Sequence, residues 1–233
     1  MKTTFRLAAV LCVALALAGC WRWWPDVTYR YKLTLSVNTP DGVKTASNVV
    51  EIDYWKFAQG TPHTARGQAL YLDLGPGRRP LVALLTHIPR QNERVDDLRW
   101  LEFDPIRLIA RLCLHMNRIA TWIDAASQFK ECRGAYPLEI ADLPDIVTFT
   151  DTADPKSVLL VDPNDLTAPL GPSVSWQSMT MELTSDPLTK GIEKRLPWLT
   201  TLRGNQFLDG SILGQARDSP IANQLQRYDF KAN

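Results

Sequence analysis

The sequence predicts an α+β domain: a largely antiparallel β-sheet that begins as an N-terminal meander, with one main amphipathic helix packed on it. Three observations lead there. Val27, Tyr29, Tyr31, Leu33, Leu35 and Val37 alternate with Thr28, Arg30, Lys32, Thr34 and Ser36, the period-two pattern of a half-buried antiparallel strand. Turn sequences follow at Thr39-Pro40-Asp41-Gly42 and Gly75-Pro76-Gly77-Arg78, where proline presets one dihedral and glycine accepts a left-handed one. Farther on, Ile109, Leu112, Cys113, Met116, Ile119, Ala120 and Ile123 recur at steps of three and four, which lines one face of a helix.

The remaining elements follow in chain order. Val43 to Phe57 carries a second strand. Val50, Ile52 and Tyr54 share one face, and Trp55 and Phe57 take the other, a phase change that predicts a bulge or an exit from the sheet. Gly67 to Leu74 and Pro80 to His87 form a second hairpin, and the unbroken apolar run Leu81 to Leu85 places its second strand centrally. Asp104-Pro105 starts the helix, with a capping acceptor before a proline in the first turn, and the helix is expected to end before Gly134. Prolines at 137, 144, 155, 163, 169 and 172 divide the next segment into turns and short edge strands. Met179, Met181 and Leu183 mark a further strand, and Thr189 to Leu196 a short helix. The polar stretch after Gly204 predicts a tail that is loose from about Gln215 onward.

Total charge and apolar content set outer bounds. With 26 Lys and Arg against 25 Asp and Glu, the chain has no excess of positive charge with which to neutralise phosphates, so no nucleic-acid partner is expected. An apolar fraction of 45% over 233 residues is enough to bury a core and excludes a disordered chain.

The N-terminus has the form of an export signal. Lys2 and Arg6 precede the uncharged apolar run Leu7 to Leu17. Eleven helical residues rise only about 16 Å, roughly half the hydrocarbon thickness of a bilayer. A short apolar core behind a basic start is the pattern of a secretory signal peptide. It ends in Leu17-Ala18-Gly19-Cys20, which resembles the lipobox of bacterial lipoproteins. That resemblance implies cleavage before Cys20, diacylglycerol on its thiol and an acyl chain on its new amino group, which together hold a protein stably at a membrane. Aspartate does not follow Cys20, which in Gram-negative lipoproteins implies the outer membrane, facing the periplasm. Trp21, Trp23 and Trp24 come next; tryptophan favours the headgroup level, so they read either as a membrane-proximal collar or as rings packed on the domain.

Residues 1–19 are thus expected to be a cleaved signal, 20–27 a lipidated tether, 28–214 a single α+β domain and 215–233 a polar tail. The mature chain keeps Cys113 and Cys132 beside the lipidated Cys20. In an oxidising compartment that pair can form a disulfide; Cys113 reads equally well as a small buried residue on the helix.

Motifs for chemistry are sparse. His63, His87 and His115 are scattered, with no set of converging ligands for zinc. Asp151, Asp154, Asp162 and Asp165, with Asn164, lack the spacing of a calcium loop, and two of the aspartates precede proline, as turn formers do. Ser127-Gln128-Phe129-Lys130 matches S-x-x-K without its companion motifs. Arg107, Arg111 and Arg118 lie along one side of the predicted helix, the pattern of a solvated face or of a contact with anionic lipid. No cofactor, metal site or catalytic group is expected.

Two stretches, Tyr29 to Gly42 and Leu143 to Trp198, resemble a group of uncharacterised proteobacterial proteins. The resemblance brings no activity or ligand. It implies that the Asp/Pro-rich segment belongs to the folded domain. The functional expectation is a lipid-anchored periplasmic protein, non-enzymatic, that binds another protein or associates with the envelope. Its rival is a periplasmic hydrolase assembled in three dimensions from material such as Asp73, His87, Asp97 and Ser127.

Overall fold

A computed structural model describes residues 25, 27–55, 63–87, 105–116, 126, 128–212 and 219–232. The strands are β1 (Val27–Thr39), β2 (Gly42–Tyr54), β3 (His63–Gln68), β4 (Leu70–Leu72) and β5 (Leu81–Ala83). The helix α1 (Pro105–Leu114) comes next, then β6 (Ala135–Pro137), β7 (Ile146–Phe149), β8 (Val158–Val161), the single turn α2 (Thr167–Leu170) and β9 (Ser175–Leu183). The chain ends in α3 (Arg227–Phe230) and β10 (Lys231–Ala232). The architecture is mostly antiparallel β-sheet with few helices, of which α1 is the longest among the described residues.

The strands form two sheets where the sequence pattern suggested one. The larger runs β10-β3-β2-β1-β9-β6 and the smaller β4-β5-β7-β8. The alternation in β1 does what its pattern requires. Tyr31, Leu33, Leu35 and Val37 are buried while Arg30, Lys32, Thr34 and Ser36 stay partly exposed. That apolar face shares one core with Leu70, Leu72, Leu81, Ala83, Ile146 and Val161 of the smaller sheet and with Ile106, Leu108 and Ile109 of α1. The opposite face of the smaller sheet, through Val82, Val147 and Phe149, packs under a second core of Trp198, Leu208, Leu225 and Phe230. This accounts for the unbroken apolar run in β5. It lies between β4 and β7 with a core on each face, so neither face needs polar residues.

The phase change after Tyr54 is an exit from the sheet, not a bulge: β2 ends at Tyr54 and Trp55 lies outside it. The register of β2 with β1 is continuous from Val27 opposite Tyr54 to Thr39 opposite Gly42; the irregularity falls between β1 and β9, at Ser36 and Val37. Both faces of β2 are buried from Asn48 onward: on the polar one Arg30 and Arg66 pair with Glu51 and Asp53, and a later segment bonds to its backbone. The Val49 amide donates to the Thr189 hydroxyl at 2.8 Å, and the Thr189 amide to the Val49 carbonyl at 3.3 Å. Gly67 marks the step from the larger sheet to the smaller. Its φ is +144°, and a Cβ there would lie 3.1 Å from Val50, so only glycine lets β3 pass this close to β2.

The helix is shorter than its stripe of apolar residues. It stops at Leu114, His115 takes a left-handed φ of 54°, and the Met116 amide turns back to the Ala110 carbonyl at 3.1 Å. A left-handed residue at this place ends a helix because the chain can no longer follow the spiral. Cys113, two residues before His115, is joined to Cys132 by a disulfide with a Cα–Cα distance of 5.7 Å. Cys132 follows a tight 3₁₀ turn at Phe129–Glu131, where a continuous helix was expected. A loop of this length closed by a disulfide removes about 3 kcal/mol of unfolded-state entropy.

The proline-punctuated segment folds as turns and short strands, yet β7 lies inside its sheet, between β5 and β8. The helix expected at Thr189–Leu196 shrinks to a 3₁₀ turn at Ile192–Lys194. The largest correction concerns the tail. Residues 219–232 pack into the fold: Ala222, Asn223, Leu225, Asp229 and Phe230 are buried, and β10 pairs with β3 through Lys231–Gln68 and Ala232–Gly67. Phe230 is 0% exposed, with its ring edge-on to Trp198 at 5.2 Å and tilted against Phe149 at 6.1 Å. Few apolar residues mark this segment, but Ala222, Leu225 and Phe230 fill the second core.

Candidate functional site

The C-terminal segment meets the end of β5 and the start of β7 at a cluster of one histidine and two carboxyl groups. Past β5 the chain continues as Leu84 to His87. The Leu84 amide donates to the Asp145 carbonyl at 2.8 Å, and the Asp145 amide to the Thr86 carbonyl at 3.2 Å. These bonds hold Asp145 beside His87, whose Nδ1 lies 3.3 Å from Asp145 Oδ1. From the other side, the Leu85 amide donates to the Asp229 carbonyl at 2.8 Å and the Thr86 hydroxyl to the Asp229 carboxylate at 2.6 Å. The second oxygen of Asp229 accepts the Gln226 amide at 2.6 Å, a helix-start contact that fixes the side chain.

Burial dominates the electrostatics. It pushes the Asp229 carboxyl up to about 6, against the Gln226 and Thr86 hydrogen bonds that favour the charged form, and the neighbouring Asp145 pushes it further up. The cluster is therefore a histidine with two buried carboxyl groups, of which burial holds Asp229 toward its protonated form. The Thr86 hydroxyl donates its proton to Asp229, an arrangement that braces the chain and does not prime a nucleophile.

A second charged group covers the polar face of the larger sheet. Arg30 pairs with Glu51 at 2.7 Å, and Arg66 bridges Glu51 and Asp53 at 2.6 Å each. Thr28 adds a hydroxyl to Asp53 at 2.6 Å. Both carboxylates are buried, and the flanking guanidiniums supply the counter-charge that burial demands. Beside them Lys32 bonds to Glu182 and Asp186. These bonds hold the lysine above its ordinary range, and the bond from Lys32 holds Asp186 below the usual carboxylate range.

The residues singled out by the sequence are distributed as follows. Cys113 and Cys132 meet as a disulfide. Cys20, Trp21, Trp23, Trp24, Asp97, Arg118 and Ser127 lie outside the described residues. His87 meets Asp145, whereas Asp73 accepts the Gly75 amide and pairs with Arg195 at 3.1 Å. The backbone of His63 pairs with Tyr54 in the larger sheet. Arg111 forms an ion pair with Asp142. Asp151, Asp154, Asp162 and Asp165 each cap a local turn, accepting the amides of Ala153, Lys156, Asn164 and Thr167. Among the described residues no group of three or more His, Cys, Asp or Glu side chains is placed to hold a metal ion, and no helix is long and apolar enough to cross a membrane.

Asp145 and Asp229 were not among the residues singled out. Their only local signal is an acid set against apolar neighbours, Asp145 before Ile146-Val147 and Asp229 before Phe230. A comparison with protein-family models, with curated proteins and with solved structures finds no match to this chain.

Proposed function

We propose that the chain is an exported lipoprotein, held by acyl groups on Cys20 at the periplasmic face of the cell envelope, with the outer membrane as its destination. Its domain then acts by binding another envelope protein and not by catalysis. The observation that carries the reading is the Cys113–Cys132 disulfide. Such bonds persist in oxidising compartments and are rare in the cytosol, which agrees with a lipobox-like Leu17-Ala18-Gly19-Cys20 behind a short apolar run. Fractionation of cells expressing wild type and Cys20→Ser, with mass measurement of the mature N-terminus, tests it. The wild type is expected in the membrane fraction, beginning at an acylated Cys20 and carrying the bond between the other two cysteines. An unacylated wild type in the soluble fraction would sink the reading.

A periplasmic hydrolase is the second reading, and the His87–Asp145 pair at 3.3 Å favours it, since a carboxylate that orients a histidine is two-thirds of a nucleophilic triad. Hydrolysis of ester or amide probes by wild type, lost in His87→Ala, would move the conclusion there.

A further inference from the structure

β8 ends the four-stranded sheet on one side, and among the described residues it pairs with β7 alone. The Thr150 amide donates to the Ser157 carbonyl at 3.2 Å, one step beyond the Phe149–Val158 pair. In an antiparallel ladder, opposed residues turn both backbone groups toward the partner strand or both away, in alternation. Leu159 and Val161 therefore share the inward orientation of Ser157, and Val158 and Leu160 turn their N–H and C=O groups to the open side. The side chains of Leu159 and Leu160 are 39% and 40% exposed, on opposite faces of the strand. The usual protections of a free edge, a lysine, a proline or a bulge, are absent from Val158–Val161.

The surroundings are acidic. Asp151 and Asp154 are exposed before the strand, and Asp162 and Asp165 after it; Lys156 is the one basic residue between 151 and 165. Each carboxylate is held in place by the turn it caps.

We propose that β8 is a docking edge for an extended segment of a partner protein, which adds a fifth strand to the sheet and carries apolar residues flanked at both ends by Lys or Arg. This rests on the protein-binding reading above and names the chemistry of the partner. Backbone bonding at Val158 and Leu160 supplies the pairing, and the exposed leucines supply side-chain contact. Charge decides the occupant. A second copy in antiparallel pairing would set the Asp151 and Asp154 end of one strand against Asp162 and Asp165 of the other, like charge on like, whereas a basic-flanked segment gains at both ends.

The test uses the whole mature protein and two synthetic peptides, a Val-Leu-Val-Leu core between lysine pairs and the same core between glutamate pairs. The lysine peptide is expected to bind at least about tenfold tighter in fluorescence anisotropy, with affinity that falls as salt rises. Amide exchange on the wild type is expected to show new protection at Val158 and Leu160 when it binds. Leu160→Pro deletes an outward N–H without touching the ladder to β7 and is expected to abolish binding, with circular dichroism as the check on folding. Equal binding of the two peptides, or protection confined to other strands, overturns the proposal. So does self-association that Leu160→Pro removes, which makes the occupant a second copy. Capture of the same envelope protein by wild type and Leu160→Pro overturns the edge site and leaves the protein-binding reading standing.

Discussion

The Thr86 hydroxyl donates a buried 2.6 Å hydrogen bond to the Asp229 carboxylate across 143 positions of the chain. It ties the end of β5 to the last helical turn, so the C-terminal segment is an integral part of the fold. The same contact places a carboxyl with a raised pKa in the interior, and the consequences can be measured.

Asp229 rises from 3.8 in an unfolded chain to about 6 in the folded one. The folded state therefore binds its proton more tightly, and the contribution of this group to stability is fully present below pH 4. It is lost as pH rises through 6, by about 3 kcal/mol. Denaturant titrations of wild type and Asp229→Asn across pH 4 to 7.5 isolate the group. The difference between the two proteins is expected to change by about that amount and then level off above pH 7. A difference independent of pH would show that Asp229 does not hold the proton.

Phe230→Ala removes a ring that meets both Trp198 and Phe149 in the second core. The expected loss is about 3–5 kcal/mol, the range for truncating a fully buried aromatic residue. Urea unfolding reads it directly. A loss below about 1 kcal/mol would mean that the segment is peripheral after all.

Two arginines offer a contrast. Arg66 bridges the buried Glu51 and Asp53, whereas Arg195 meets Asp73 with both side chains more than half exposed. Arg66→Met leaves Asp53 buried without its cation and is expected to cost about 2 kcal/mol or more. Arg195→Met is expected to cost less than about 1 kcal/mol, since water screens that pair. Thermal unfolding of the two variants side by side ranks them, and equal losses would refute the argument from burial.

Local period made some of this architecture legible. The alternation from Val27 to Val37 foretold β1 almost to the residue, and Met179, Met181 and Leu183 foretold β9. That these two strands pair with each other was not legible, because register between distant strands leaves no trace in either one alone. The helix was overextended for a related reason. The apolar spacing continues past Leu114, but the left-handed turn at His115 ends α1 there, and Ile119, Ala120 and Ile123 lie outside the described residues. The histidine–carboxylate cluster draws on residues 87, 145 and 229, each in a different segment, so no spacing rule could assemble it. The tail was misjudged because Ala222 lies in a three-residue 3₁₀ turn, Leu225 just after it and Phe230 at the end of a single α-helical turn, elements too short to show an amphipathic period.

The C-terminal segment also gives the domain a sense of order in time. A chain made from its N-terminus carries β1, β2 and β3 long before β10 exists to take the end of β3. The larger sheet thus closes only when residues 231–232 have been made. A copy without Arg227–Phe230 leaves Trp198 and Phe149 without their third ring and the Thr86 hydroxyl without its acceptor. One helical turn thus draws on both layers of the fold, and its loss is felt far from it in the sequence.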